Sequence, residues 1–168
     1  MTTGEVTTLI EIPRGSNQKY EWDRETGLFV LDRVLGEGLY YPYAYGLIKN
    51  TLGGDGDEID TLLVSAHAFQ TGDEVECMIL GVLLMEDEKG PDEKLLVVPR
   101  DAVENDLSDL SNECLDEIRE FFINYKKPDF PTKWSRVHGF GDRARALELY
   151  HESVRRFLTT TVVVCGNS

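Results

Sequence analysis

The sequence predicts an α+β chain, mainly β, in which a small barrel of short strands carries two packed helices. Three observations lead there. Residues 6–98 are a succession of β-branched and apolar runs broken by Gly, Pro and Asp turns, too closely spaced for the crossover helices of βαβ units. From Ser111 onward the apolar residues recur at helical spacing instead. A length of 168 residues fits one domain, 1–168, with room for a real core.

The elements follow in order. Val6 to Ile12 is β-branched and apolar and stops at Pro13, so it reads as a strand, with Glu11 expected on the face opposite Ile10 and Ile12. Lys19 to Trp22 is a second strand, with Lys19 and Glu21 on one face. A turn over Asp23 to Gly27 leads into Leu28 to Val34, a hairpin partner carrying Arg33 at its far end. Gly36 and Gly38 mark a loop before Leu39 to Leu47, where Tyr41, Tyr43 and Tyr45 share a face if the chain is extended. Thr61 to Ser65, Glu74 to Met85 and Leu95 to Val98 are further strands, and acid-dense Glu86 to Glu93 lies between the last two. Leu115, Ile118, Phe122 and Tyr125 then form a helical stripe behind Ser111 as N-cap, and Pro128 follows its end. A second helix starts near Asp142, with Leu147, Tyr150, Val154, Phe157 and Leu158 on its apolar side. The tail, 159–168, contains the β-prone run Val162-Val163-Val164 and is expected to pack against a subunit neighbour or a sheet edge.

Seventeen Lys and Arg against 31 Asp and Glu give a charge of -14, which disfavours nucleic acid and anionic membrane as partners. Cys77, Cys114 and Cys165 are odd in number and widely spaced, against a disulfide framework or zinc site and in favour of a reducing compartment. With no targeting segment and no apolar run long enough for a bilayer, a cytoplasmic location is expected.

The densest chemistry is the run Asp55-Gly56-Asp57-Glu58-Ile59-Asp60. Its carboxylates are hard oxygen ligands suited to Mg²⁺ or Ca²⁺, although Asp and Gly also make plain acidic turns. An EF-hand is excluded, because counting from Asp55 puts Ile59 at position 5, Asp60 at 6 and Ala66 at 12. No Walker-type phosphate loop occurs. Two further polar clusters, Glu11 with Lys19 and Glu21, and Asp87, Glu88, Asp92 and Lys94, sit in or beside strands, where unneutralised carboxylates are costly. His67, His138 and His151 have no clustered ligand partners and are given no role.

Taken in order, Ile10-Glu11-Ile12-Pro13, Lys19-Tyr20-Glu21, Asp32-Arg33, Tyr41-Pro42, Tyr45-Gly46 and the aspartate run resemble the motif series of family I soluble inorganic pyrophosphatases. Asp87-Glu88, Asp92, Lys94, Tyr125-Lys126 and Lys133-Trp134 continue that series. The resemblance spans about residues 5–158. It implies an OB-like closed β-barrel and hydrolysis of pyrophosphate to two phosphates with several Mg²⁺ per site, Mn²⁺ or Zn²⁺ being substitutes.

Carried over position by position, it assigns Asp55, Asp60 and Asp92 to the metals that bind the attacking water, and Asp57 to the base. It assigns Asp87 with Asp92, and Glu11 with Glu21, to further metals. Lys19, Arg33, Tyr45, Lys94, Tyr125 and Lys126 would hold phosphate oxygens, with Tyr41 in support. It also implies a homo-oligomer, a hexamer being favoured. Ala44, where Asn is common, and Glu58 and Thr61 depart from the usual pattern. Seven acids and four bases at these positions leave -3, so about three divalent cations would neutralise bound pyrophosphate. Two alternatives are a catalytically silent metal-binding homologue and an OB-like module for single-stranded nucleic acid, the second opposed by the acidic charge.

Overall fold

The computed structural model describes residues 4–166, with side chains as far as Thr161. Among these, the chain runs β1 (Glu5–Ile12), β2 (Gln18–Trp22), β3 (Phe29–Val34), β4 (Ala44–Ile48), β5 (Ile59–Leu63), β6 (Glu74–Asp87), β7 (Gly90–Pro91) and β8 (Lys94–Pro99). Then come α1 (Asn112–Asn124), β9 (Ser135–Gly141) and α2 (Arg143–Gly166), with 3₁₀ turns at Leu107–Asp109 and Lys127–Asp129.

Five strands close a barrel. β1 pairs with β4, β4 with β5, β5 with β8, β8 with β6, and β6 returns to β1. Only β5 and β8 run parallel, so the OB-like barrel is mixed. The far end of β6 continues beyond the barrel to pair with β7 and β9. β2 and β3 form a separate two-stranded sheet.

The barrel strands are buried on both faces, which explains their near-continuous apolar sequence. On one side Ile10, Ala44, Ile59, Leu63, Leu95 and Val97 pack with Ala146 and Leu149 of α2. On the other, Ile12, Tyr45, Leu62 and Leu96 pack with Ile118, Phe121 and Phe122 of α1. Ser111 caps α1 as expected, its Oγ accepting from the Cys114 N–H at 3.1 Å. Asp142 does the same for α2, accepting from the Arg145 N–H at 2.9 Å.

Several expectations need correction. Glu11 does not simply oppose Ile10 and Ile12, because those two belong to different clusters. Ile10 pairs with Gly46 and Ile12 with Tyr45, so Glu11 is the extra residue of a β-bulge. Residues 39–43 bend, and only Ala44–Ile48 is strand; Tyr41 and Tyr45 pack together with ring centroids 5.2 Å apart, while the Tyr43 hydroxyl meets Cys114 Sγ at 3.4 Å. The acidic segment 86–93 is partly strand, since β6 reaches Asp87 and turns into β7.

Strand β9 was not expected. The second helix is also longer than its apolar stripe, running through Thr159–Thr161 to Gly166, so the start of the tail is helical. Its buried line is Ala146, Leu149 and Ser153; Leu147 and Tyr150 flank the core, but Leu158 is exposed. The expected packing of the Val162-Val163-Val164 side chains, and Cys165, lie outside the described residues.

Candidate active site

One face of the barrel opens into a cavity of about 340 Å³. Every residue singled out from the sequence lines it: Glu11, Lys19, Glu21, Arg33, Tyr41, Tyr45, Asp55, Asp57, Asp60, Asp87, Asp92, Lys94, Tyr125 and Lys126. Asp32, Glu58, Glu88, Lys89 and Lys133 line it as well, although the sequence reading gave them no role. The lining thus holds ten acidic side chains against six basic ones.

Strand register explains the gathering. Asp60 of β5 and Lys94 of β8 are direct partners at the parallel junction, on the face shared with Tyr45 and Leu62. The bulge at Glu11 redirects a carboxylate to the same side. A second bulge places Lys19 opposite Arg33 and Tyr20 opposite Leu31, making Asp32 the extra residue on β3. The β6–β7 hairpin supplies Asp87, and the Asp92 N–H closes it by donating to the Met85 carbonyl at 3.0 Å. Tyr125 and Lys126 follow the last turn of α1.

Charges inside the cavity are largely paired. Lys94 Nζ donates at 2.8 Å to both Asp60 Oδ2 and Asp92 Oδ2, and lies 5.3 Å from the centre of the Tyr45 ring. Burial alone would lower its pKa; Asp60 and Asp92 outweigh that and hold it well above the usual lysine value. Lys126 Nζ donates to Asp87 Oδ2 at 2.8 Å and lies 3.3 Å from Glu88. Lys19 bridges Glu21 and Asp32 at 3.2 Å each. Arg33 pairs with Asp129.

Among the described residues, Glu11, Asp55 and Asp57 have no cation within ion-pair distance. Glu11 is held by the Trp22 N–H at 2.8 Å, yet burial, with Asp60 next, pushes its pKa up to about 8. Burial likewise raises Asp55 to about 6, with Asp60 and Asp92 adding to it against a bond from the Asp57 N–H. Carboxylates therefore gather here without a cationic partner, and for Glu11 and Asp55 the fold opposes the charged form. Burial also pushes the Tyr41, Tyr45 and Tyr125 hydroxyls up, so all three are proton donors at neutral pH.

Residues 8–158 match the inorganic pyrophosphatase family model. The chain belongs to that family. It is 43% identical over 155 residues to an inorganic pyrophosphatase of Helicobacter pylori, with 89% of each chain covered. It is 37% identical over 158 residues to one from Saccharolobus solfataricus, covering 90% of this chain and 91% of the relative. Among solved structures, the inorganic pyrophosphatase of Thermus thermophilus superposes with a TM-score of 0.89 at 39% identity, covering 93% of this chain and 92% of that one. The charged residues and tyrosines assigned from the ordered motifs gather in this one cavity.

The residues missed from the sequence were not silent. Asp32, Glu88 and Lys133 stand inside the motif strings, but each looks like an ordinary surface charge next to a stronger candidate. The second bulge brings Asp32 to the cavity, the β6–β7 turn brings Glu88, and the segment leading into β9 brings Lys133.

Proposed function

We propose that this chain hydrolyses inorganic pyrophosphate to two phosphates in the cavity described above, using divalent metal, with Mg²⁺ the working ion and Mn²⁺ or Zn²⁺ able to substitute. The observation that carries this reading is the coincidence, in one cavity of a chain of the pyrophosphatase family, of a carboxylate cluster short of positive charge with a ring of Lys, Arg and Tyr donors.

The donor set fits Mg²⁺. All ligand candidates are carboxylate oxygens, and Glu11 and Asp55 are destabilised as anions in a way an adjacent cation would relieve. Among the described residues no three carboxylates form a ready-made cage. That suits Mg²⁺, which keeps several waters and uses one or two carboxylates together with substrate phosphates. Asp55, Asp60 and Asp92 would hold the ions nearest the attacking water, and Asp87, Asp92, Glu11 and Glu21 the others. When bound, the metal supplies charge neutralisation and lowers the pKa of water.

Asp57 accepts the proton of the attacking water as its oxygen bonds to one phosphorus and the bridging P–O bond breaks. Lys19, Arg33, Lys94 and Lys126 bind the phosphoryl oxygens and oppose charge on the leaving phosphate. Tyr45 and Tyr125, held protonated by burial, donate hydrogen bonds to the same oxygens, with Tyr41 bracing Tyr45. The cavity's acidic excess opposes a nucleic-acid-binding role, and the presence of the whole motif set opposes a catalytically silent homologue.

The test is phosphate release from pyrophosphate with Mg²⁺, with and without chelator. Asp57→Asn is expected to lower turnover by about 10²–10⁴-fold; undiminished activity would remove Asp57 as the base. We also place the protein in the cytoplasm as a homo-oligomer. The free cysteines Cys77 and Cys114 support the first, and exposed Leu28, Val30, Leu31 and Val34 on and beside β3 support the second.

A further inference from the structure

The β2–β3 sheet carries Lys19, Glu21, Asp32 and Arg33 into the cavity but belongs to no barrel sheet, so its site residues need an anchor from elsewhere. Besides the bond from the Trp22 N–H of β2 to Glu11 of β1, two contacts provide one, both from the 3₁₀ turn Lys127–Asp129 that follows α1. Arg33 Nη1 donates to Asp129 Oδ2, joining β3 to that turn across 96 residues of sequence. Just past the end of β3, Gly36 lies so close to Pro128 that an added Cβ would sit 2.7 Å from Pro128 Cγ. The turn is itself fixed, with the Asp129 N–H donating to the Lys126 carbonyl at 3.0 Å and the Lys133 N–H to the Asp129 carbonyl at 3.1 Å. Lys126 and Lys133, on either side of it, line the cavity; Asp129 does not.

We propose that Asp129 is a positioning residue for pyrophosphate binding: by holding one nitrogen of Arg33 it presents the rest of the guanidinium to a phosphoryl group and straps the β2–β3 sheet across the mouth of the site. The guanidinium is a planar fork of donors in fixed relative orientation. One nitrogen is used by Asp129, while Nε and Nη2 are buried with no hydrogen-bond partner. Two buried donors on a residue lining a cavity call for acceptors arriving from that cavity, and two oxygens of one phosphoryl group match them. Because Asp129 engages a different nitrogen, it orients the fork without competing for the Nε edge. Gly36 against Pro128 lets the chain just past β3 approach the same turn closely.

This role rests on the pyrophosphatase reading but can fail separately from it. The experiment compares wild type, Asp129→Asn, Asp129→Ala and Asp129→Glu as full chains with Mg²⁺. It measures kcat and KM for pyrophosphate, calorimetric affinity for the non-hydrolysable analogue imidodiphosphate, and thermal unfolding.

Asp129→Ala is expected to raise KM and weaken analogue binding by about tenfold, with kcat changed far less, since the lost interaction helps ground and transition states alike. Asp129→Asn, equal in size, should show a smaller change in the same direction, and Asp129→Glu should recover most of the loss. An unchanged KM and analogue affinity would overturn the proposal, including when Tm falls, because that is the signature of a purely structural contact. Tighter analogue binding in Asp129→Asn would also overturn it, by making Asp129 a competitor of the substrate. A wild type that binds the analogue but turns over no pyrophosphate would defeat the functional reading, not the positioning role.

Discussion

Glu11 carries a carboxyl whose pKa rises from 4.5 to about 8 on folding, because it is buried beside other acids. The folded chain therefore binds a proton that the unfolded chain has lost, and stability must fall as pH rises between those values. Asp55, raised from 3.8 to about 6, adds to the same trend at the lower end of the window. Metal-free protein should melt at a lower temperature at pH 8 than at pH 5, and Mg²⁺ should raise Tm more at pH 8, where the carboxylate it would neutralise is charged. A Tm independent of pH in the presence of chelator would contradict this.

Lys94 offers a complementary case. Removing its charge as Lys94→Met leaves the carboxylates of Asp60 and Asp92 uncompensated in a buried setting, at a cost of about 3 kcal/mol. Chemical denaturation in chelator should record that loss, and added Mg²⁺ should reduce it. At this scale the sequence was most readable where charges cluster along the chain, as in Asp55 to Asp60. It was least readable where a single acid such as Asp32 reaches the site only through a bulge.

Among the elements, β4 shows how tightly the barrel constrains its residues. A Cβ on Gly46 would run into the Leu9 carbonyl of β1, next to the bulge that redirects Glu11. Gly46→Ala should therefore cost about 3 kcal/mol or more in denaturant unfolding, through backbone displacement rather than lost contacts. Ser111→Ala, which removes only the N-cap of α1, should cost about 1 kcal/mol in the same assay.

Strand β9 shows why one element escaped the sequence reading. Val137 and Phe140 are three apart, which breaks strand alternation, yet both pack against the α1 side of the core. A register shift opposite Leu84 and Met85 absorbs the extra residue, and Gly139 takes a φ of 141° there. The periodicity was present but interrupted. In α2 the reverse happened: Thr159 to Thr161 are β-branched, and the helix runs through them because it is already established on a packed stretch around Ala146 and Leu149.

For the whole molecule, a charge of -14 and a cavity with ten acids to six bases make the metal-free chain repulsive to polyanions. Barrel, helices and cavity were legible because apolar period and motif order agree over nearly the full length; the exposure of Val30, Leu31 and Val34 was not, since in sequence they look like an ordinary buried strand face. If those residues are covered by sister subunits, light scattering should give a mass near six times the 19.0 kDa chain. A single-chain mass would remove the hexamer.

The parallel junction of β5 and β8 carries a last consequence, for the order of events in time. Asp60 and Lys94, 34 residues apart, meet only when the chain between them has run out along β6 and back, so their pairing is a non-local step that waits on closure of the barrel. During refolding, α1 and the aspartate turn can form from local sequence well before this seam shuts. Regain of pyrophosphate turnover should then lag the helical circular-dichroism signal and follow the slowest tertiary phase. A chain halted just short of the seam would look nearly native by spectroscopy while remaining inert.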